Sequence, residues 1–137
     1  MIANLPLPAI ETITCHNGLC TFRPCGRYSL VDAVDLVSGT IAFCRKQSVN
    51  MLLVDATGLV DLPVPSLADR FLMIEDWASE AAGTVIVAMV IRAEYIDPRR
   101  FGVNVAQRFG LAMNVHTSEE EALAWLSQAS SNRRLNN

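Results

Sequence analysis

No apolar run in the chain approaches the ~20 residues needed to cross a bilayer, and charges interrupt every candidate, so membrane insertion is not expected. Residues Met1 to Pro8 carry neither a basic n-region nor a long apolar h-region, so a secretory signal is not expected either, and the reading is cytoplasmic. The seven glycines never fall as Gly-x-Gly, which removes the dinucleotide fingerprint. A phosphate loop and a Gly-x-Ser-x-Gly nucleophile elbow are also missing. Charge is scarce, at 18% of residues with a net of −3, and leaves no basic footprint for nucleic acid. Arg99-Arg100 and Arg133-Arg134 read as isolated, solvated pairs.

What remains is strongly apolar. Half of the 137 residues (51%) are hydrophobic, enough for one continuous core but not two. The mean hydropathy of +0.28 is high for a lone domain, and implies that a second copy, a protein partner or a ligand covers some apolar surface. Three regions are expected: an extended lead-in over 1–10, a single domain over 11–127 and a flexible polar tail over 128–137. The four cysteines, Cys15, Cys20, Cys25 and Cys44, are expected as reduced thiols in a cytoplasmic protein.

Asn17-Gly18 is a strong hairpin signal, because both central residues of a type I′ turn need positive φ. A two-residue turn there pairs Cys15 with Cys20 and Ile13 with Phe22, with those four on the buried face. A helix follows with Ser29 as N-cap and Leu30, Val34, Val37, Ile41 and Cys44 at helical spacing. Gly39 within it points to close packing against a neighbour. Met51 to Asp55 and Thr84 to Ile91 read as buried strands. Between them a helix is capped by Ser66, has a stripe of Leu67, Phe71, Ile74, Ala78 and Ala81, and ends at Gly83. Asp97-Pro98 opens a third helix that Gly110 closes, Leu111 to His116 is a short strand, and Ser118 to Glu121 is a capping box for a fourth helix. The expected fold is α/β: a mixed, mostly parallel sheet of four or five strands opened by a β-hairpin, with four helices packed on it.

Several strings in this order resemble the STAS superfamily, in particular its stand-alone, bacterial SpoIIAA-like branch. They are Leu52-Leu-Val-Asp55, Val87 to Arg92 with Asp97 to Phe101, and Ser118 to Leu126 with its closing Ala-Trp-Leu. The resemblance spans residues 11–127. It implies helices on one side of the sheet and a role in binding or regulation. Anti-sigma-factor antagonists carry a phosphorylated serine before the second helix in an Asp-Ser-Ser-Gly-like string. Here Asp61-Leu-Pro-Val-Pro-Ser66 stands instead, so that switch does not carry over directly.

Three groups of residues are candidates for function. On the second helix, Met73 and Trp77 form a shoulder beside the core stripe and Leu72 points elsewhere; with Ser66 they make a candidate interface. Asp55, at the end of a central strand, could form a pocket rim with Asp61 and Glu94, or serve as a turn carboxylate. Cys15 and Cys20 face each other closely enough for a disulfide, a redox pair or a shared metal, or else are small hydrophobes on a strand face. No zinc spacing, catalytic constellation or cofactor motif is present. His16 and His116 are separate, with His116 suited to packing. The leading expectation is a non-enzymatic interaction module that binds a protein partner or a second copy. The alternative is a SEC14-like binder with an apolar cavity under the second and third helices for a small, lipid-like ligand. An enzyme using Asp55 or a cysteine comes last, and needs a pocket holding one of them.

Overall fold

Asn17 and Gly18 take φ of 53° and 81°, the left-handed pair that a type I′ turn requires. They join β1 (Ile13–His16) to β2 (Leu19–Phe22) in the register expected, with Cys15 opposite Cys20 and Ile13 opposite Phe22. The computed structural model describes residues 13–135, so the expected lead-in over 1–10 lies outside the described residues. Cys20 and Phe22 are buried as expected, whereas Cys15 is exposed, because β1 is an edge strand.

From β2 the chain passes through β3 (Cys25–Arg27) into α1 (Leu30–Lys46), whose Ser29 hydroxyl accepts from the Asp32 amide at 3.1 Å. Then come β4 (Met51–Asp55), β5 (Gly58–Val60), α2 (Leu67–Ala81) and β6 (Ile86–Val90). A 3₁₀ turn (Ala93–Tyr95), α3 (Phe101–Arg108), β7 (Met113–His116) and α4 (Glu119–Leu135) complete the chain. The main sheet runs β1-β2-β4-β6-β7, antiparallel at the hairpin and parallel elsewhere. This is the expected α/β architecture, a five-stranded mixed sheet with four helices. A second, two-stranded parallel sheet joins β3 to β5. Neither of its strands is long enough to show alternation, so local sequence gave no signal for it.

Strand alternation divides the core in two. Leu52, Val54, Val87, Met89 and Met113 face one side and are covered by residues of α1, α2 and α3, including Leu36, Ile41, Ile74, Trp77, Val105 and Ala106. Leu53, Ile86, Ala88 and Val90 face the other side and meet Ala122 and Leu126 of α4. Helices therefore cover both faces, three on one and α4 on the other, not the single side that the STAS resemblance implied. Among the described residues no helix is long and apolar enough to cross a membrane.

Three expectations change at the helices. Asp97-Pro98 does not open α3. The chain makes a further turn, and Arg100, at φ 54°, caps a helix beginning at Phe101, whose amide donates to Asp97 Oδ2 at 2.9 Å. The segment after Ser127 is helical to Leu135 instead of a flexible tail: Ser130 is buried, and Arg133 Nη1 donates to the Thr84 carbonyl at 3.3 Å. Gly39 is exposed, and a Cβ built there meets nothing within 4 Å, so no close packing requires it. Gly39→Ala is therefore expected to stabilise the protein by about 1 kcal/mol through helix propensity alone, read as a rise in the urea midpoint at unchanged slope.

Candidate functional site: an apolar cavity with a cationic rim

Met89 on β6, with Met113 and Val115 on β7, point to the three-helix face and form the floor of a cavity of about 120 Å³. Ala33, Leu36 and Val37 of α1 form one wall, and Met73, Ile74 and Trp77 of α2 form another. Gly102 and Val103 of α3, with Leu59 of β5 and Leu62 and Pro65 of the β5–α2 connection, close it further. The cavity lies at the carboxyl ends of parallel strands, where an open α/β sheet leaves room between its loops. Its lining is almost wholly apolar, and its size compares with the ~150 Å³ apolar cavities that stay dry and admit a benzene ring. The lining also includes the polar or charged residues Arg70, Arg92, Arg100, Asp97 and Tyr95.

Each rim group is held by a distinct contact. Arg70 Nη1 donates to the Tyr95 carbonyl at 3.2 Å, and Arg92 Nη2 donates to the Thr57 carbonyl at 3.0 Å. Arg100 donates to the Asn114 side-chain oxygen. The Tyr95 hydroxyl donates to the Leu62 carbonyl at 2.5 Å, tying the 3₁₀ turn to the connection before α2. Arg100 is thus not the solvated half of an isolated Arg99-Arg100 pair, and no local motif marks Arg70 or Arg92. The one available signal was the place of Arg92, directly after a buried strand at its carboxyl end.

The expected carboxylate rim is not there: neither Asp55, Asp61 nor Glu94 lines the cavity. Asp55 alternates with Val54 and so faces away from it. Its Oδ1 accepts from the Thr57 amide at 3.0 Å and the Thr57 hydroxyl at 2.6 Å, the turn role considered as the alternative. Asp61 is exposed and paired with Arg27, and Glu94 is exposed on the 3₁₀ turn. The true neighbour of Asp55 is Glu119, which Arg23 grips with Nε and Nη2 at 2.8 and 2.9 Å. Hydrogen bonding to Arg23 holds the Glu119 carboxyl down to about 2 from an ordinary 4.5, against the opposing effect of burial. A carboxyl depressed on folding adds stability that is complete above pH ~4.5 and disappears as pH falls through ~2. Solvent reaches this pair, so Glu119→Gln is expected to cost at most about 1 kcal/mol at pH 7. The difference from the parent should close as chemical denaturation is repeated toward pH 2.

The candidate interface divides as well. Ser66 is exposed and caps α2 with both capping-box bonds, each 3.0 Å, to and from Asp69. Leu72 is 62% exposed. Met73 is half-buried and faces the cavity, and Trp77 is only 2% exposed, with its indole Nε1–H donating to the Val34 carbonyl at 3.2 Å. The helix is rotated from the expected stripe: Ile74, Trp77 and Ala81 are its buried residues, while Leu67 and Phe71 are 55% and 42% exposed. Phe71 instead packs edge-on against Phe109, with ring centroids 5.5 Å apart.

Cys15 and Cys20 form a disulfide, so the expectation of four reduced thiols fails at this pair. Direct opposition in the hairpin is what permits the bond. Of the others, Cys25 is exposed, and burial pushes the Cys44 thiol up to about 12, making it a poor nucleophile. No cysteine lines this cavity, nor does Asp55. His16 lies on β1 and His116 on β7, the two opposite edges of the sheet, so they do not converge. His116 packs against Trp125 at a centroid distance of 5.8 Å, the packing role expected, and burial lowers its pKa. Among the described residues no cluster of three His, Cys, Asp or Glu side chains could hold a metal ion. No family model matches the chain, and neither a curated protein nor a solved structure was found to match it.

Proposed function

We propose that the protein is a non-enzymatic binding module that takes a small apolar ligand, or the apolar end of an amphiphile, into the cavity beneath α2 and α3. The apolar lining at the carboxyl ends of β6 and β7 carries this reading. A preformed pocket of this kind, with a few polar groups at one end, is the usual form of a small-molecule site. Its methionines, Met73, Met89 and Met113, adapt to the shape of an occupant at little cost. The high mean hydropathy is then partly accounted for by lining that a ligand would cover.

The test is a titration with 1-octanol followed by amide and indole chemical shifts. Saturable shifts are expected at Trp77 and along β6 and β7. Ala33→Leu puts apolar volume into the cavity from a helix position that favours leucine. It is expected to weaken octanol binding at least about tenfold while holding or raising the denaturation midpoint. Absence of saturable shifts in the parent protein refutes the reading.

A second reading is an interaction module of the kind that the STAS resemblance implies, with a protein partner docked on α2. It is favoured by the exposed Leu67, Phe71 and Leu72, with Phe109 beside Phe71, and no longer by Trp77. Leu72→Asp should then abolish a pull-down or sedimentation-detected association without changing octanol binding, which keeps the two readings separable.

A further inference from the structure

We infer, building on the ligand-binding reading above, that the ligand is an amphiphile whose head is anionic and is held by Arg70, Arg92 and Arg100. The chain carries a net charge of −3, yet three arginines and one carboxylate, Asp97, line this cavity. The arginines come from three separate segments: α2, the residue pair after β6, and the cap of α3. Tertiary structure alone brings them to one cavity lining.

Their hydrogen bonding differs from that of three arginines elsewhere on the surface. Arg23, Arg27 and Arg45 each pair with a carboxylate, Glu119, Asp61 and Glu80 respectively. Among the described residues Arg70, Arg92 and Arg100 have no carboxylate within ion-pair distance, and each donates to a neutral oxygen. Such a contact orients a guanidinium while leaving most of its five donors and its full charge uncompensated. Asp97, whose Oδ2 accepts from the Phe101 amide at the start of α3, offsets one of the three charges and leaves the lining net positive. Three arginines in the lining of an apolar chamber match a ligand that presents a short alkyl or aryl body to the cavity and two or more anionic oxygens to its rim. Carboxylate and phosphate share that chemistry.

The experiment compares octanoate, octyl phosphate and 1-octanol, which share one chain, by calorimetric titration at pH 7.5. At least one anion is expected to bind about tenfold or more tightly than the alcohol, as charge-assisted bonds to arginine require. The tighter anion identifies the head. Its affinity should fall toward that of 1-octanol in Arg92→Gln and Arg100→Gln, and should weaken as sodium chloride is raised. Equal binding of anions and alcohol overturns the head assignment and leaves the apolar cavity standing, as does an anion preference that survives both arginine substitutions. Binding of none of the three overturns the cavity reading as well.

Discussion

Trp77→Ala is expected to destabilise the protein by about 4 kcal/mol, in the range measured for truncating buried aromatic side chains. Trp77 is 2% exposed, belongs to the main core cluster and spans from α2 to the backbone of α1 through its bond to the Val34 carbonyl. Truncation removes that packing, enlarges an existing cavity and leaves the Val34 carbonyl without its indole donor. Against the 5–15 kcal/mol stability typical of a domain, such a loss shifts the urea midpoint by a large fraction. Trp77→Phe keeps most of the ring volume and should recover more than half of the loss. Trp77→Asp, which an exposed interface would tolerate, is expected to unfold the domain, because it buries an unpaired carboxylate. A Trp77→Ala variant with an unchanged midpoint would return this residue to the surface.

Loss of the Cys15–Cys20 bond is expected to cost about 2 kcal/mol, the loop-closure value for so short a loop. The two residues are five apart in sequence and close the tip of a two-stranded edge. Unfolding of the Cys15→Ala/Cys20→Ala protein, compared with the parent in the absence of reductant, measures the effect. Thiol titration gives an independent check: the denatured, unreduced chain should release two thiols, Cys25 and Cys44, and the reduced chain four. In the native state only Cys25 should react promptly, since Cys44 is buried and its thiolate is disfavoured. Four thiols before reduction would refute the bond.

The hairpin was legible because its information is local. A two-residue turn with positive φ at both positions leaves one register, and every pair from Ile13–Phe22 to His16–Leu19 follows. That register also placed Cys15 against Cys20, although chemistry alone left a bond, a metal and simple packing open. Helix α2 was harder to orient. Phe71-Leu-Met-Ile74 is apolar throughout, so a stripe through Phe71 and Ala78 and one through Met73 and Trp77 satisfy helical spacing almost equally. The choice fell to the larger indole because α1 offered it both a surface and a carbonyl. The end of α4 shows the converse: a polar segment stays helical once its small residues meet the sheet, as Ala129 does.

Local sequence carried the α/β order, the caps at Ser29, Ser66 and Ser118 and the buried character of β4 and β6, since each depends on residues within one turn or one strand. Tertiary structure decided the rest. Pleat alternation turned Asp55 away from the cavity and toward Glu119, and the packing angle of α2 brought Trp77 inward. The packing of α2, the segment after β6 and the start of α3 brought Arg70, Arg92 and Arg100 into the lining of one cavity. The scarcity of charge that marks this chain as a whole does not exclude arginines from that lining, because a site is a convergence in space that no run of neighbouring residues encodes.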